Sequence, residues 1–305
     1  MDADLFLSTA RAGARAVTSA LAGAAGLPDV GIGADGAITH GADALAESVM
    51  VGHLAELAVP IVSEEGGLIH SALGRSGPHS ALGRSGPHSA LGRSGPPGDV
   101  PGAGPWICLD PLDGSRNHRA GAPPYATAVA LVLDGVPVAG VVHEHGSQVT
   151  WSAVRGGGAR RTGPDGVGTT PVAAAGELVA VPSVRPGEAA PPLPGWCARV
   201  RMTGCTTVDL CRVADGSLAA FVDLRRGVVH PHDLAAPLVI LREAGAAVTD
   251  PDDRRPDEPA EGGTTPGETG PGLVIVADPR HTRRLVAAWA PSAVAEILAA
   301  AHATT

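Results

Sequence analysis

The stretch WICLDPLDGSRNH, Trp106 to His118, is an apolar run that ends on two aspartates three residues apart, followed by Gly-Ser. A buried strand that stops on acids has two explanations, a turn or a metal site. Asp-Pro and Asp-Gly are both common turn formers, so either pair alone reads as a turn. Their combination asks for more. Pro111 restricts Asp110 toward extended backbone while Gly114 lets the chain turn sharply, which can bring the Asp110 and Asp113 carboxylates to one side with the Leu112 carbonyl beside them. Hard divalent cations such as Mg²⁺ prefer that kind of all-oxygen set. If a helical turn begins here, Gly114 and Ser115 offer free backbone N–H groups to a phosphate. Acids for a metal beside amides for a phosphate is the layout of a metal-assisted phosphoryl-transfer site.

The rest of the chain sets the limits on that reading. Its 305 residues suit two ordinary domains or one large layered one, and 44% hydrophobic content is ample for a core. Aromatic residues are only 2%, so packing must rest on small aliphatic side chains. Lysine is absent and Asn117 is the only asparagine, a pattern most simply explained by a GC-rich genome. A net charge of -9 without a dense basic cluster argues against nucleic acid or an anionic membrane as the partner; small ligands or metal ions fit better. Cys108, Cys197, Cys205 and Cys211 have spacings that match neither a metal-binding pair nor a disulfide framework, which predicts reduced thiols. MDADLF has no signal-like character and no apolar run approaches the ~20 residues of a membrane span, so a cytoplasmic protein is expected.

Periodicity predicts an amphipathic helix over residues 4–24, a turn-like glycine-rich link over 31–41, and a second helix over about 42–57. AVPIVSEEGG then gives a short strand ending on Ser63, Glu64 and Glu65. HSALGRSGP occurs three times, beginning at His70, His79 and His88, with only Ala and Leu as apolar content; residues 70–105 are expected to be a disordered surface insertion. Beyond the opening stretch, Asp134-Gly135 between two β-rich runs predicts a hairpin, and WSAVRGGGARRTG continues the sheet. The join between two halves is placed in residues 162–194, giving an N-terminal α+β half over 1–165 and a C-terminal α/β half over 166–305. In the second half the expected order is a helix over about 205–214, strand LAAFVDL, a helix over about 233–244, strand AAVTD, a solvated loop over 251–272, strand GLVIVAD and terminal helices.

Three motifs in order resemble the inositol monophosphatase-like superfamily of Mg²⁺-dependent, lithium-sensitive phosphatases, which also holds 3'-phosphoadenosine 5'-phosphate phosphatases and some fructose-1,6-bisphosphatases. The DPxDGT/S pattern is met by DPLDGS, the acidic pair after a strand by Glu64 and Glu65 in IVSEE, and the aspartate opening a helix by Asp233 in HDLAAPLVILREAGAAVTD. The resemblance implies an α/β fold of the α+β kind, a layered α-β-α-β-α sandwich, often a homodimer, with the site where the halves meet. It implies that Glu64, Asp110, Asp113, Asp233 and the Leu112 carbonyl ligate two or three Mg²⁺ ions. Asp43 would hold a weaker ion and orient a nucleophilic water with Glu64 and the Ser115 hydroxyl. Thr206 and Asp223 would touch the substrate, alongside Asp113, Gly114, Ser115 and Asp233. The implied reaction is in-line attack of metal-activated water on a small polyol, sugar or nucleotide phosphomonoester.

Departures from the family pattern concern the substrate. An aromatic residue commonly precedes the last metal aspartate, and here it is His232; TTNF becomes SRNH, which introduces Arg116 and His118 near the expected mouth. The interval from Asp223 to Asp233 is also about three residues longer than in inositol monophosphatases. His230 and His232 read as a loop at the pocket edge, with a transition-metal site including Asp233 as the alternative. His143 and His145 read as surface histidines, and Arg225-Arg226 as surface residues or ligands for a second anionic group. The rival to an enzyme is a regulatory protein-binding member of the same fold. A complete set of acids favours the enzyme, because a binding module has no need to hold several carboxylates at one point.

Overall fold

A computed structural model describes residues 1–69, 104–182, 191–224, 227–252 and 273–303. The threefold repeat, Arg225-Arg226 and most of the 251–272 loop lie outside those residues. Helix α1 (Ala3–Leu21) starts where the Asp2 carboxylate accepts from the Asp4 N–H at 2.8 Å. It buries Phe6, Ala10, Ala14, Val17 and Leu21, the helical spacing seen in the sequence. The link after it is more ordered than a turn, since β1 (Asp29–Ile32) and β2 (Ile38–His40) form a hairpin there. Helix α2 (Gly41–Leu54) follows and ends in a 3₁₀ turn, Ala55–Leu57.

The first large sheet has eight strands: β3 (Ile61–Ser63), β4 (Gly67–Ile69), β5 (Pro105–Asp113), β6 (Ala126–Leu133), β7 (Val136–Glu144), β8 (Val149–Val154), β9 (Gly158–Thr162) and β10 (Gly168–Thr169). The β6–β7 turn at Asp134-Gly135 has φ of 51° and 77°, the positive values a two-residue hairpin needs. The sheet is not wholly antiparallel, because β3 lies parallel to β5. That pair positions the site. With Ser63 opposite Leu109, the residues that follow on both strands, Glu64 and Asp110, emerge at the same end.

Both sheet faces are covered, which explains the long apolar runs. Ile107, Leu109, Val129 and Val141 face α1 and α2. Trp106, Cys108, Ala128 and Val142 face the opposite side, where α4 (Thr206–Ala214) and α5 (Pro231–Glu243) lie; α3 (Ser115–Ala120) is a short turn after β5. Contact there is close enough that a Cβ on Gly140 would lie 2.7 Å from the Ala236 carbonyl oxygen. The Ala- and Gly-rich composition is what lets α5 sit that near the sheet.

Beyond α4 and α5 comes a five-stranded sheet ordered β12 (Arg199–Arg201), β11 (Leu178–Ala180), β13 (Ala220–Asp223), β15 (Leu285–Ala288), β14 (Ala247–Thr249). Helix α6 (Pro291–His302) covers its far face through Ala293, Val294 and Ile297. The layers are thus α-β-α-β-α, as expected. Two details differ. The described part of GLVIVAD, residues 273–278, joins no sheet; Leu273, Ile275 and Ala277 are buried, and the Ile275 N–H donates to the Gly135 carbonyl at 2.8 Å. The strand between β13 and β14 is instead Leu285–Ala288, expected as helix, because four small apolar residues have no period that separates helix from strand. Among the described residues no helix is long and apolar enough to cross a membrane, and all four cysteines are free.

Candidate active site

The β5–β6 pairing slips between Asp110 and Asp113, so three steps along β5 oppose two along β6. This bulge lets the run Asp110-Pro111-Leu112-Asp113 place both carboxylates on one side. The Thr127 hydroxyl donates to the Pro111 carbonyl at 2.8 Å and the Leu112 N–H to Asp110 Oδ1 at 3.1 Å, which fixes the turn from within. Gly114 has φ 79°, a left-handed conformation that suits glycine, and starts α3.

Asp233 arrives from the first turn of α5, where its Oδ2 accepts the His230 N–H at 2.8 Å. Carboxylate oxygens of Asp110, Asp113 and Asp233 lie within 4.8 Å of one another. Glu64, from the end of β3, belongs to a second triad at the same spacing, with Asp110 and a ring nitrogen of His232. Four acids from three distant segments therefore converge. Among the described residues no arginine pairs with any of them.

The electrostatics follow from that crowding. Burial pushes Asp110 well above the usual carboxylate range, with Glu64, Asp113 and Asp233 adding to it. Glu64 is raised by burial and then by Glu65, Asp233 and Asp35. Asp233 is raised by burial and Asp113, against the opposing His230 N–H. Asp113 is raised by burial but less freely, because the Thr207 N–H and hydroxyl both donate to its Oδ2 at 2.7 Å, with the Cys205 thiol at 3.2 Å. Buried carboxylates without cations are costly unless they hold a metal or a proton. Oxygen donors at this spacing fit a hard divalent ion.

The other predicted residues belong to neither triad. Asp43 on α2 repeats the Asp233 arrangement, its Oδ2 accepting the His40 N–H at 2.9 Å. Its other oxygen is buried without a partner, and burial raises the group to about 6. Ser115 and Thr206 open α3 and α4. Asp223 ends β13, buried, and accepts the Val228 N–H at 2.8 Å; it stands outside both triads. Arg116 is exposed.

Three histidine readings are corrected. His232 is on the first turn of α5 rather than in an edge loop, 5% exposed and grouped with Glu64 and Asp110 rather than with His230 and Asp233. His118 is buried against Tyr125, ring centroids 5.0 Å apart, instead of at the mouth. His143 and His145 are 2% and 5% exposed because α1 lies over them: the Thr18 hydroxyl contacts both, at 3.1 and 2.8 Å. Burial lowers them to about 4 and about 3, so both are neutral.

Residues that the sequence left unmarked complete the surroundings. Thr207 and Cys205 hold Asp113. Asn117 donates to the Pro124 and Thr203 carbonyls, both at 2.8 Å, tying α3 to the approach of α4. Asp35, at the tip of the β1–β2 hairpin, lies close enough to raise both Glu64 and Asp233. From the sequence it has no role beyond the turn-like link over 31–41.

The family model of the inositol monophosphatase family matches residues 2–292. The chain belongs to that family. A fructose-1,6-bisphosphatase/inositol-1-monophosphatase of Thermococcus kodakarensis is 30% identical over 231 residues, 73% of each chain. An inositol-1-monophosphatase of Mycobacterium leprae is 35% identical over 60% of this chain and 62% of its own length. A histidinol-phosphatase of Mycobacterium tuberculosis is 33% identical over 47% of this chain and 58% of its own. Among solved structures, an inositol monophosphatase-fructose 1,6 bisphosphatase, the MJ0109 gene product, superposes with TM-score 0.68 at 21% identity, covering 98% of this chain and all of the other (100%). A Thermotoga maritima IMPase gives 0.64 at 18% identity, with 98% and 99% coverage. These last two likenesses speak for the fold alone.

Proposed function

We propose that this family member is a divalent-metal-dependent phosphomonoesterase acting on a small polyol, sugar or nucleotide phosphate. The observation that carries the reading is the convergence of Glu64, Asp110, Asp113 and Asp233 with no arginine paired to them among the described residues. Together with the Leu112 carbonyl these residues would hold two or three Mg²⁺ ions, and the bound ions would supply Lewis acidity toward phosphate and a lowered pKa for water. The chain's own groups do the rest. The unpartnered oxygen of Asp43 is free to orient a water, with Glu64 and the Ser115 hydroxyl sharing that task. Gly114 and Ser115 at the start of α3 face the phosphate, while Thr206 and Asp223 contact the remainder of the substrate. Inhibition by Li⁺ and a homodimeric, cytoplasmic protein belong to the same proposal.

The relatives' names include inositol-1-monophosphatase, fructose-1,6-bisphosphatase and histidinol-phosphatase, which makes the leaving group the open variable. A phosphate-release panel across inositol 1-phosphate, fructose 1,6-bisphosphate, phosphoadenosine phosphate and histidinol phosphate decides it. Divalent-ion-dependent release from one of these is the expected result. Release from none, with Mg²⁺ or Mn²⁺ supplied, overturns the reading.

A further inference from the structure

The two triads that share Asp110 differ in one donor. Asp110, Asp113 and Asp233 offer oxygen only, whereas Glu64 and Asp110 are joined by an imidazole. The His232 ring is nine-tenths buried, its Nδ1 has no hydrogen-bond partner, and its Nε2 stands 3.7 Å from Glu64 Oε1, too far for a hydrogen bond.

Other buried histidines of this chain provide the contrast. His143 is bound at both ring nitrogens by the Thr150 and Thr18 hydroxyls, and His145 by Thr18 and Thr127. Those rings are satisfied as neutral core groups. His118 also has an unpartnered Nδ1, but no carboxylate stands beside it in either triad. Among the histidines of the described residues, His232 alone groups a ring nitrogen with two acids: Nε2 faces Glu64 without a hydrogen bond, and Nδ1 on the other side of the ring has no partner either.

The ring is also held in place. It stacks on His230 with centroids 4.9 Å apart and planes 15° off parallel, and His230 is anchored through Nδ1 at 2.8 Å from the Pro279 carbonyl. Pro231 at the start of α5 restricts the backbone between them. A stacked and anchored imidazole keeps its orientation whether or not an ion is present.

We propose that Glu64, Asp110 and His232 form a mixed nitrogen–oxygen site that takes a first-row divalent ion, Co²⁺ or Zn²⁺ most strongly and Mn²⁺ less so, in preference to Mg²⁺. This rests on the reading of the acid cluster as a metal centre. The chemistry behind it is that imidazole suits transition ions, while Mg²⁺ demands hard oxygen donors in near-octahedral array. The neighbouring all-aspartate triad keeps no such preference, so the two positions differ in the ions they accept.

The test is pulsed electron paramagnetic resonance on metal-stripped protein reloaded with one equivalent of Mn²⁺. A nitrogen coupling of the size expected for directly bound imidazole, shifted in protein grown on ¹⁵N-histidine and absent from His232→Phe, is the expected outcome. Equilibrium dialysis against excess Mg²⁺ should retain about one Mn²⁺ per chain, with the preference falling at least about tenfold in the variant, since imidazole is the donor that separates the two ions. If His232→Phe fails to fold, His232→Gln serves in its place, and the wild-type spectrum alone still decides. Bound Mn²⁺ without nitrogen coupling, or with coupling that survives both substitutions, overturns the proposal. Phosphate release from a protein whose Mn²⁺ is oxygen-ligated sinks this site and leaves the phosphatase reading intact. Nitrogen-coupled Mn²⁺ in a protein that hydrolyses no phosphomonoester sinks that reading and leaves the site.

Discussion

Asp113 and Glu64 stand on opposite sides of one acid cluster, and the chain holds them in different ways. Three donors from the start of α4 converge on Asp113 Oδ2, two from Thr207 and one from Cys205. Glu64 has no such brace: Glu65, Asp233 and Asp35 raise it, its side-chain hydrogen bond is to another acid, Asp110, and the His232 ring stands 3.7 Å away, beyond hydrogen-bond reach. One side is pre-organised by hydrogen bonds before any ion arrives. The other takes its final geometry from whatever cation or proton it binds.

The largest effect comes from breaking the braced side. Asp113→Asn keeps the shape but removes a negative charge shared by the Asp110 and Asp233 neighbours. A metal's contribution to charge stabilisation is several kcal/mol, so a loss of about 10³ in kcat is expected. Phosphate release at saturating substrate checks it; a variant with near-normal turnover would remove Asp113 from the site.

Next is the pH dependence of the metal-free protein, which reports the less braced side. Asp43 and Glu65 have folded values of about 6 and about 8, above their ordinary 3.8 and 4.5, chiefly because of burial. A folded state that holds a proton more tightly than the unfolded chain is most favoured below the unfolded value. That advantage is lost as pH rises through about 6 and then about 8. Stability without metal should therefore fall between pH 5 and 8 by about 5 kcal/mol, about one pH unit's worth from Asp43 and between about two and three from Glu65. Added Mg²⁺ or Mn²⁺ should restore it at pH 8 by binding the folded state. Thermal melts at three pH values with and without metal test both signs, and a metal-free protein more stable at pH 8 than at pH 5 contradicts the burial account.

A smaller change sharpens the brace itself. Thr207→Val removes the hydroxyl from Asp113 but leaves the backbone N–H in place. Partners of a metal ligand typically contribute ten- to a hundredfold in affinity or rate, so about tenfold weaker Mg²⁺ binding is expected here. Calorimetric titration of the stripped protein measures it. An unchanged affinity would mean the backbone amide and Cys205 suffice.

The acids of the cluster were legible because their chemistry is local. Asp110 and Asp113 are posed by Pro111 and Gly114, their immediate neighbours, and Asp233 by the helix start it caps. What could not be read is decided across distance. The parallel pairing of β3 with β5 puts Glu64 beside Asp110, yet nothing in either strand names the other as partner. His143 and His145 look like strand-end surface residues until α1 covers them. Leu285–Ala288 becomes a strand only because β13 and β14 leave a place between them. Thr207 was missed for a related reason: it sits one residue beyond Thr206, and only the start of α4 turns the later hydroxyl toward Asp113.

The smallest predicted effect separates local backbone restraint from tertiary support at the shared bulge. The Thr127 hydroxyl donates to the Pro111 carbonyl and lies 3.0 Å from His145 Nε2, at the end of a polar chain that runs through His145 and Thr18. Thr127→Val has nearly the same shape and leaves both partners buried, so it should cost about 1 to 2 kcal/mol of stability, the scale of one lost hydrogen bond with a stranded group. Denaturant unfolding gives that figure. Metal affinity should change less than about fivefold, because such a bond contributes only about 1 kcal/mol and Pro111 and Gly114 already restrict the turn around the acids. A drop in Mg²⁺ affinity beyond about tenfold, the 1.4 kcal/mol step, would show that the turn is held from α1 inward. The buried histidine chain would then be part of what keeps Asp110 and Asp113 on one side.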